Sequence, residues 1–593
     1  MSRLIRTSLG RLCAVALPLL AQGAHAASLA PVPPMGFNNW ARFQCVPQAP
    51  LNGGKQETYS FQQFMTDQGR ALYDSGLSAA GYKTVVVDDC WMTRNAAGYL
   101  HGNPSWNGSR QPGFDYELTG YVNALHNLGL SVGVYNTAGA KTCQGVRAGA
   151  QGHQLADAAS YAYWGVDFLK LDNCGSEGGV STETLDAQMA AALKTVKRPI
   201  LFDPSLPAAY GPDQPEKYTA LALSKKLGQM WRVSGDVRTY KPNDPVDPWD
   251  YHRAGDYEEG VYQAYDDTIA LSRYMGPDSW NDADQLVVGD NGLTSSEESS
   301  QIGLWAIMGA PMILSADVRK LVHPQTAHLQ KTLELLSNRQ VIAVNQDPLG
   351  AGGYRVLRDN PATSAGFDVV VKPLRDGSLA ALVLNKNNKA QSYTLKLASL
   401  GLAPAANGAY AVSHLWNGRQ QTGVTEVTQT LGAHDNMMLR IVGGALTPTG
   451  QIQPVQPGFG QAALCLAASG AKAGAGVALN ACSASGNQQW QRLANQTIRL
   501  AGTSLCLSGD DKPTPGAGGV SLRWAKLAAC KAGDAKQAFS YNLTGQLKNG
   551  QGCLDVFQGR ISTPGTPVNL YQCAPESAPQ INQIWSAPHG RTL

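Results

Sequence analysis

The spacing of hydrophobic positions changes period repeatedly between residues 28 and 345. Short apolar runs end in charged or polar residues: "KTVVVDDCW", "LSVGVYNT", "VDFLKLDNC", "PILFDPS", "QMWRVSGD" and "APMILSAD". Between them lie stretches of helical character, such as "GRALYDSGLSAAG", "YVNALHNLG" and "ETLDAQMAAALKTV". Near-continuous apolar runs predict strands buried on both faces, and strand–helix alternation predicts a parallel sheet. Over about 300 residues the pattern suits an α/β fold of the (β/α)8 TIM-barrel type, placed at residues 27–347. A doubly wound open sheet is the alternative, but no Gly-rich phosphate loop follows the first strand.

Several of these strands end in chemistry. Asp88 and Asp89, Lys170 and Asp172, Asp203, and the stretch from Arg232 to Asp236 all fall at or just beyond a strand's C-terminal end. A barrel builds its active site at that face. One strand-end aspartate alone reads more readily as a helix cap, but caps do not account for the whole set.

After residue 348 the helical spacing disappears. "GFDVVVKPL", "SLAALVLNK", "QSYTLKL" and "MMLRIV" predict strands only, an antiparallel β-sandwich over 348–445. "GGALTPTGQIQPVQPGFG" then predicts a Gly/Pro/Thr linker over 446–460. Residues 461–593 hold three similar units, "CLAASG…LNAC…NQQW", "CLSGDD…LAAC…QAF" and "CLDVFQG…VNLYQC…NQIW". Their natural pairing is within each unit: Cys465–Cys482, Cys506–Cys530 and Cys553–Cys573. Each such loop would add about 3 kcal/mol in the chain-entropy model.

Composition narrows the class. Charged residues make up 15% of the chain and the formal charge is +3 with no basic block, so nucleic acid is not an expected partner. Residues 1–26 combine three arginines, an apolar core and Ala24-His25-Ala26, the pattern of a cleaved signal peptide, with a buried N-terminal helix as the alternative. No later run reaches the ~18 apolar residues of a membrane span. A secreted or periplasmic, membrane-free protein is expected. Removing Cys13 with the signal leaves ten cysteines, with no Cys-x-x-Cys pair and no His cluster, so disulfides are expected rather than a metal.

Hydrolysis of a glycosidic bond needs two carboxyl groups, one at C1 and one to protonate the leaving oxygen. Lys170 and Asp172 stand two apart on one strand and so point to one side, where a lysine helps keep an aspartate ionised. Arg232 and Asp236 leave another strand together. Trp40 and Trp91 offer flat apolar faces to a pyranose, with ordinary packing as the alternative for each.

At these residues the chain resembles glycoside hydrolase family 27, the α-galactosidases and α-N-acetylgalactosaminidases. The matching stretches are "PPMGFNNWARFQC", "VVVDDCWM", "GVYNTAGAKTC", "FLKLDNC", "WRVSGD", "WNDADQLVVG", "GLWAIMGAPMILSADVR" and "VIAVNQDPLG". The resemblance implies a barrel followed by a β-sandwich, a retaining exo-glycosidase acting on terminal α-linked galactose, and no cofactor. It implies Asp172 as nucleophile and Asp236 as general acid/base. Trp40, Asp88, Asp89, Tyr135, Lys170 and Arg232 would contact the sugar, with Asp284 nearby. It further implies Cys45–Cys90 and Cys143–Cys174 disulfides.

The chain departs from the family most at "FDPSLPAAYGP". Many α-galactosidases carry Cys-Glu-Trp there, around the sugar's 2-hydroxyl; here Ser205 and Ala208 resemble the small residues of α-N-acetylgalactosaminidases. That activity is the alternative, with β-L-arabinopyranosidase or isomalto-dextranase-like specificity behind it. The three C-terminal units resemble ricin-B-type β-trefoil lectin modules, which implies a glycan ligand. Only the third keeps a full set of sugar contacts: Asp555, Asn569, Tyr571, Asn582 and Gln583. In the first two, Ala467 and Ser508 replace the aspartate. A lectin whose barrel has lost catalysis is the non-enzyme alternative.

Overall fold

The computed structural model describes residues 28–46, 51, 59–107, 118–241, 243–253, 255–455, 462–515 and 521–590. The expected signal segment, 1–26, lies outside them.

Eight strands alternate with eight principal helices. The strands are β1 (Met35–Asn38), β2 (Thr84–Val87), β3 (Ser131–Thr137), β4 (Phe168–Asp172), β5 (Leu201–Pro204), β6 (Met230–Arg232), β7 (Trp280–Asp282) and β8 (Met312–Leu314). The helices that follow them are α1 (Phe61–Asp74), α2 (Thr119–His126), α3 (Gln154–Trp164), α4 (Thr182–Leu193), α5 (Pro215–Leu227), α6 (Val261–Ile269), α7 (Ser295–Met308) and α8 (Ala327–Leu336). Six strands form one parallel sheet in the order β8-β1-β2-β3-β4-β5, and β6 pairs in parallel with β7. The Gln229 amide donates to the Phe202 carbonyl (3.1 Å) across the β5–β6 seam. Leu286 bridges to β8 through Ile313 and Ser315 (2.8 and 2.9 Å). The arrangement fits a TIM barrel.

Helix ends are set locally. Ser60 and Gln63 form a capping box at α1, as do Thr294 and Glu297 at α7, satisfying otherwise orphaned N–H groups. Helix α7 is buried from Glu297 to Met308 because the barrel lies on one side and a second domain on the other. Gly303 permits that approach: a Cβ there would sit 2.8 Å from Leu382.

That second domain is a β-sandwich. Its larger sheet runs in spatial order through Tyr354–Arg358, Phe367–Pro373, Leu379–Asn385, Asn436–Val442, Tyr410–His414 and Gln420–Val424. Gln391–Lys396 pairs with Glu426–Leu431 opposite. Val369 and Val371 point into the sandwich core while Val370 joins the barrel-side core, which explains an unbroken "VVV". Asp266 of α6, Arg355, Arg358, Asp368 and Lys386 form a buried ion cluster where the domains meet.

The described C-terminal region is built of β-strands with short 3₁₀ turns and repeats one device three times. A disulfide closes each hairpin, as the spacing predicts: Cys465–Cys482, Cys506–Cys530 and Cys553–Cys573. In each unit a buried glutamine accepts from the amide after the second cysteine and donates to the carbonyl before it. Gln488 does this at Ser483 and Ala481, Gln537 at Lys531 and Ala529, and Gln583 at Ala574 and Gln572. The aromatic residue two positions on, Trp490, Phe539 or Trp585, fills the core.

The linker expectation for 446–460 is corrected over its described part. Thr449–Gly450 and Gln453–Pro454 are strands paired to the C-terminal region, and residues 449–455 are buried. The Gln451 amide donates to the carbonyls of both Arg358 and Ser483 (3.0 Å each), tying the sandwich to the first unit. Pro and Gly here shape a docked strand pair rather than a spacer.

Candidate active site

A cavity of about 340 Å³ opens at the C-terminal ends of the barrel strands. It is lined by Trp40, Asp88, Asp89, Tyr135, Lys170, Asp172, Ser205, Arg232 and Asp236, together with Gln144, Asn173, Ala209, Tyr257 and the Cys143–Cys174 disulfide. Nine residues singled out from sequence thus converge from β1 to β6. Cys45 pairs with Cys90 beside them.

The charged side chains are held by hydrogen bonds. The Lys170 ammonium donates to Asp88 (2.7 Å), whose carboxylate also accepts from Asn38 (2.7 Å) and from the Asp89 amide (3.0 Å). Asp89 accepts from the amides of Cys90 (2.6 Å) and Gln144 (3.1 Å). Asp172 accepts from the Asn173 amide (2.9 Å). Asp236, half-buried at the mouth, accepts from the Trp40 indole (3.0 Å) and the Arg232 guanidinium (3.1 Å). The Gly of "WRVSGD" has a physical reason: a Cβ on Gly235 would lie 2.3 Å from the Tyr257 carbonyl. Cys90 and Asp284 hold left-handed backbone (φ 76° and 68°), local strain of the kind that accumulates at functional sites.

Burial pushes the Asp172 carboxyl up; Lys170 opposes this and Asp236 reinforces it. Lys170 therefore favours the ionised form of Asp172 against that push. Burial works against the Lys170 charge, but Asp88 and then Asp172 outweigh it and keep the ammonium protonated. Beneath the floor, a cavity of about 20 Å³ is lined by Lys170, Asp203, Asp282 and Asp284 among others. There Asp203 is pushed well up by burial and by Asp282. It is a buried floor residue rather than a pocket-lining one.

Four expectations change. Asp284 does not line the pocket; it is 2% exposed and binds Arg232 (3.0 Å) and the Val237 amide (2.7 Å) from behind. Ala209, not Ala208, lines the pocket, because Leu206–Ala209 is a 3₁₀ turn and rotates the second alanine inward. Trp91 is fully buried against Trp106 and Trp164, its indole donating to the Tyr135 carbonyl (3.0 Å). Gln583 is fully buried with its amide engaged as described above, so it is a core residue of the third unit. The pocket residue with no sequence signal is Tyr257, which comes from the aperiodic segment between β6 and α6; Gln144 and Asn173 adjoin residues already singled out.

In the third C-terminal unit, Asp555 and Asn569 face each other across paired strands, both buried. Asp555 accepts from Asn582 (2.8 Å) and Gln583 (3.0 Å). Tyr571 and Asn582 are partly exposed.

Two carboxyls in one pocket beside a lysine and an arginine can supply both a nucleophile and a proton. Comparison with known proteins decides the class. The family model described as alpha galactosidase A matches residues 32–347, and that for the alpha galactosidase C-terminal beta sandwich domain matches 364–441. The chain belongs to the alpha-galactosidase A family. The alpha-galactosidase A of Aspergillus niger is 30% identical over 582 residues, covering 95% of this chain and 93% of that protein. The alpha-galactosidase of Cyamopsis tetragonoloba is 31% identical over 407 residues, 68% of this chain and 85% of its own. Alpha-galactosidase I of Mortierella vinacea superposes with a TM-score of 0.57 at 27% identity, covering 70% of this chain and 98% of its own. The enzyme is therefore an O-glycoside hydrolase of the α-galactosidase class. The Aspergillus relative extends over the C-terminal β units, whereas the Mortierella structure matches 70% of this chain.

Proposed function

We propose that the enzyme is an exported, retaining exo-α-galactosidase. Asp172 attacks C1 of a terminal α-galactoside while Asp236 gives its proton to the departing oxygen. Water then attacks the glycosyl-enzyme, Asp236 takes up its proton, and Asp172 is released. Asp88 and Asp89 accept hydrogen bonds from sugar hydroxyls, Lys170 and Arg232 donate to them, Tyr135 adds a hydroxyl and Trp40 supplies an apolar face. The single supporting observation is the unequal setting of the two carboxyls: Asp172 beside Lys170, Asp236 at the mouth under Trp40. Proton NMR of the first-formed sugar tests it, with α-galactose expected and β-galactose counting against retention. Asp236→Ala should lose far less on p-nitrophenyl α-galactoside than on methyl α-galactoside, because a nitrophenolate leaves without a proton.

A second reading, α-N-acetylgalactosaminidase, rests on the lip. Ser205 is 3% exposed, lines the pocket, and its hydroxyl has no hydrogen-bond partner among the described residues. With small Ala209 beside it, the lip has room and a donor for an acetamido group. Rates on the p-nitrophenyl α-galactoside and its N-acetylgalactosaminide separate the two.

We read the C-terminal units as a β-trefoil lectin module, on the threefold repeat of disulfide, glutamine and aromatic residue. Its third unit would hold the sugar through Asp555, Asn569, Tyr571 and Asn582. Asp172→Asn should abolish turnover and leave glycan binding intact.

A further inference from the structure

Lys217 of α5 is 2% exposed and, among the described residues, has no carboxylate within hydrogen-bond reach. Its ammonium instead donates to three backbone carbonyls: Pro207 (3.3 Å), Tyr210 (2.9 Å) and Val233 (2.7 Å). The first two bracket Ala208 and Ala209 in the lip. The third follows Arg232, at the strand end that leads to Asp236. Three donors meet three acceptors from two separate pocket walls. The lip's other anchors are the Ser205 amide on the Leu171 carbonyl (2.9 Å) and the Tyr210 hydroxyl on Glu183 (2.9 Å). Neither of these reaches β6.

We propose that Lys217 is a positioning residue that fixes the lip carrying Ser205 against the strand end carrying Arg232 and Asp236. It thereby sets the enzyme's discrimination at the sugar's 2-position. This rests on the reading that the lip faces that position. An ammonium suits the task because it carries three donors to three carbonyls at once; Pro207 also accepts from the Tyr210 amide (3.3 Å), whereas the Tyr210 and Val233 carbonyls take their side-chain hydrogen bond from Lys217. Burial pulls the Lys217 ammonium down, with Asp267 and Glu259 opposing, as a dry site would.

The test uses the full-length enzyme and the ratio of kcat/KM for p-nitrophenyl α-galactoside to that for its 2-deoxy analogue. Lys217→Gln should raise KM and move the ratio about tenfold toward one, since a 1 Å misplacement costs up to ~100-fold. Lys217→Arg keeps the charge but not the three-way geometry; it should show a smaller loss of the same kind, and is the variant to read if the Gln variant does not fold. Leu221→Ala on the same helix loses buried packing and should leave the ratio unchanged. Parent-like KM and ratio in the Lys217 variants, or an equal loss in Leu221→Ala, overturns the proposal. Ser205→Ala reports on the lip itself. If it leaves the ratio unmoved, the 2-position reading falls, and Lys217 is judged on KM against Leu221→Ala: a higher KM sustains the positioning role and an equal one overturns it.

Discussion

Replacing Lys170 by Met removes one charge from the pocket floor while keeping most of the side chain's length. Two carboxyls lose by it. Asp88 loses a partner at 2.7 Å but keeps Asn38 and the Asp89 amide. Breaking a buried ion pair from one side costs about 3–5 kcal/mol, and the retained bonds put this case near the lower end, about 3. Asp172 loses the neighbour that most opposes the upward push of burial, while the reinforcing carboxylate of Asp236 stays. An opposite charge within ~4–6 Å typically lowers a carboxyl by 1–3 units, each worth about 1.4 kcal/mol.

The sign follows directly. In the proposed mechanism Asp172 is ionised when it attacks C1, and without Lys170 its proton persists to higher pH. The acid limb of kcat/KM should therefore move up by about one unit or more. The assay is kcat/KM for p-nitrophenyl α-galactoside across about pH 3 to 8, with circular dichroism at each pH to exclude unfolding. Lys170→Arg keeps the charge and should leave the limb in place while raising KM. A folded Lys170→Met whose acid limb coincides with the parent's would refute the claim that this lysine holds the nucleophile ionised.

Three further outcomes are expected. Gly235→Ala must displace either the Tyr257 carbonyl or the Asp236 segment, since the added Cβ meets that carbonyl at 2.3 Å; kcat/KM should fall at least about tenfold with little change in melting temperature. Asp266→Ala removes one of the two carboxylates shared by Arg355 and Arg358, which are 7% and 1% exposed and keep Asp368 at 3.4 Å; unfolding free energy from urea titration should drop by about 3 kcal/mol, with any surviving folded enzyme keeping its KM. The Asp555 carboxyl is raised from 3.8 to about 6 by burial, with Gln583 opposing. The folded state thus binds that proton more tightly, contributing stability that is complete below the unfolded value and lost as pH rises through about 6. Asp555→Asn should flatten that part of the stability–pH curve, and an unchanged slope would show that Asp555 is not its source.

What sequence alone could tell follows from how each residue is positioned. Residues that end a short buried strand have their direction fixed by the strand's two-residue alternation, so Lys170 and Asp172 could be placed on one side in advance. The same holds for Asp88 and Arg232, and all four line the pocket. Where the backbone leaves the strand, that certainty ends. "PSLPAA" turns as a 3₁₀ segment, and one residue of rotation exchanges Ala208 for Ala209. Asp284 sits in a left-handed conformation that turns its carboxylate to the back of Arg232, and no periodicity announces that. Lys217 was hidden for a different reason. On an amphipathic helix a lysine reads as solvent-facing, and only the packing of the lip over α5 makes it a buried donor. The same blindness applied to Gln451 and Gln453, polar residues in a Gly/Pro-rich stretch whose amides are engaged across domains. In this enzyme Lys170 and Asp172 were legible because they belong to a strand. The groups that hold its walls in place were not, because their role exists only once separate elements have packed.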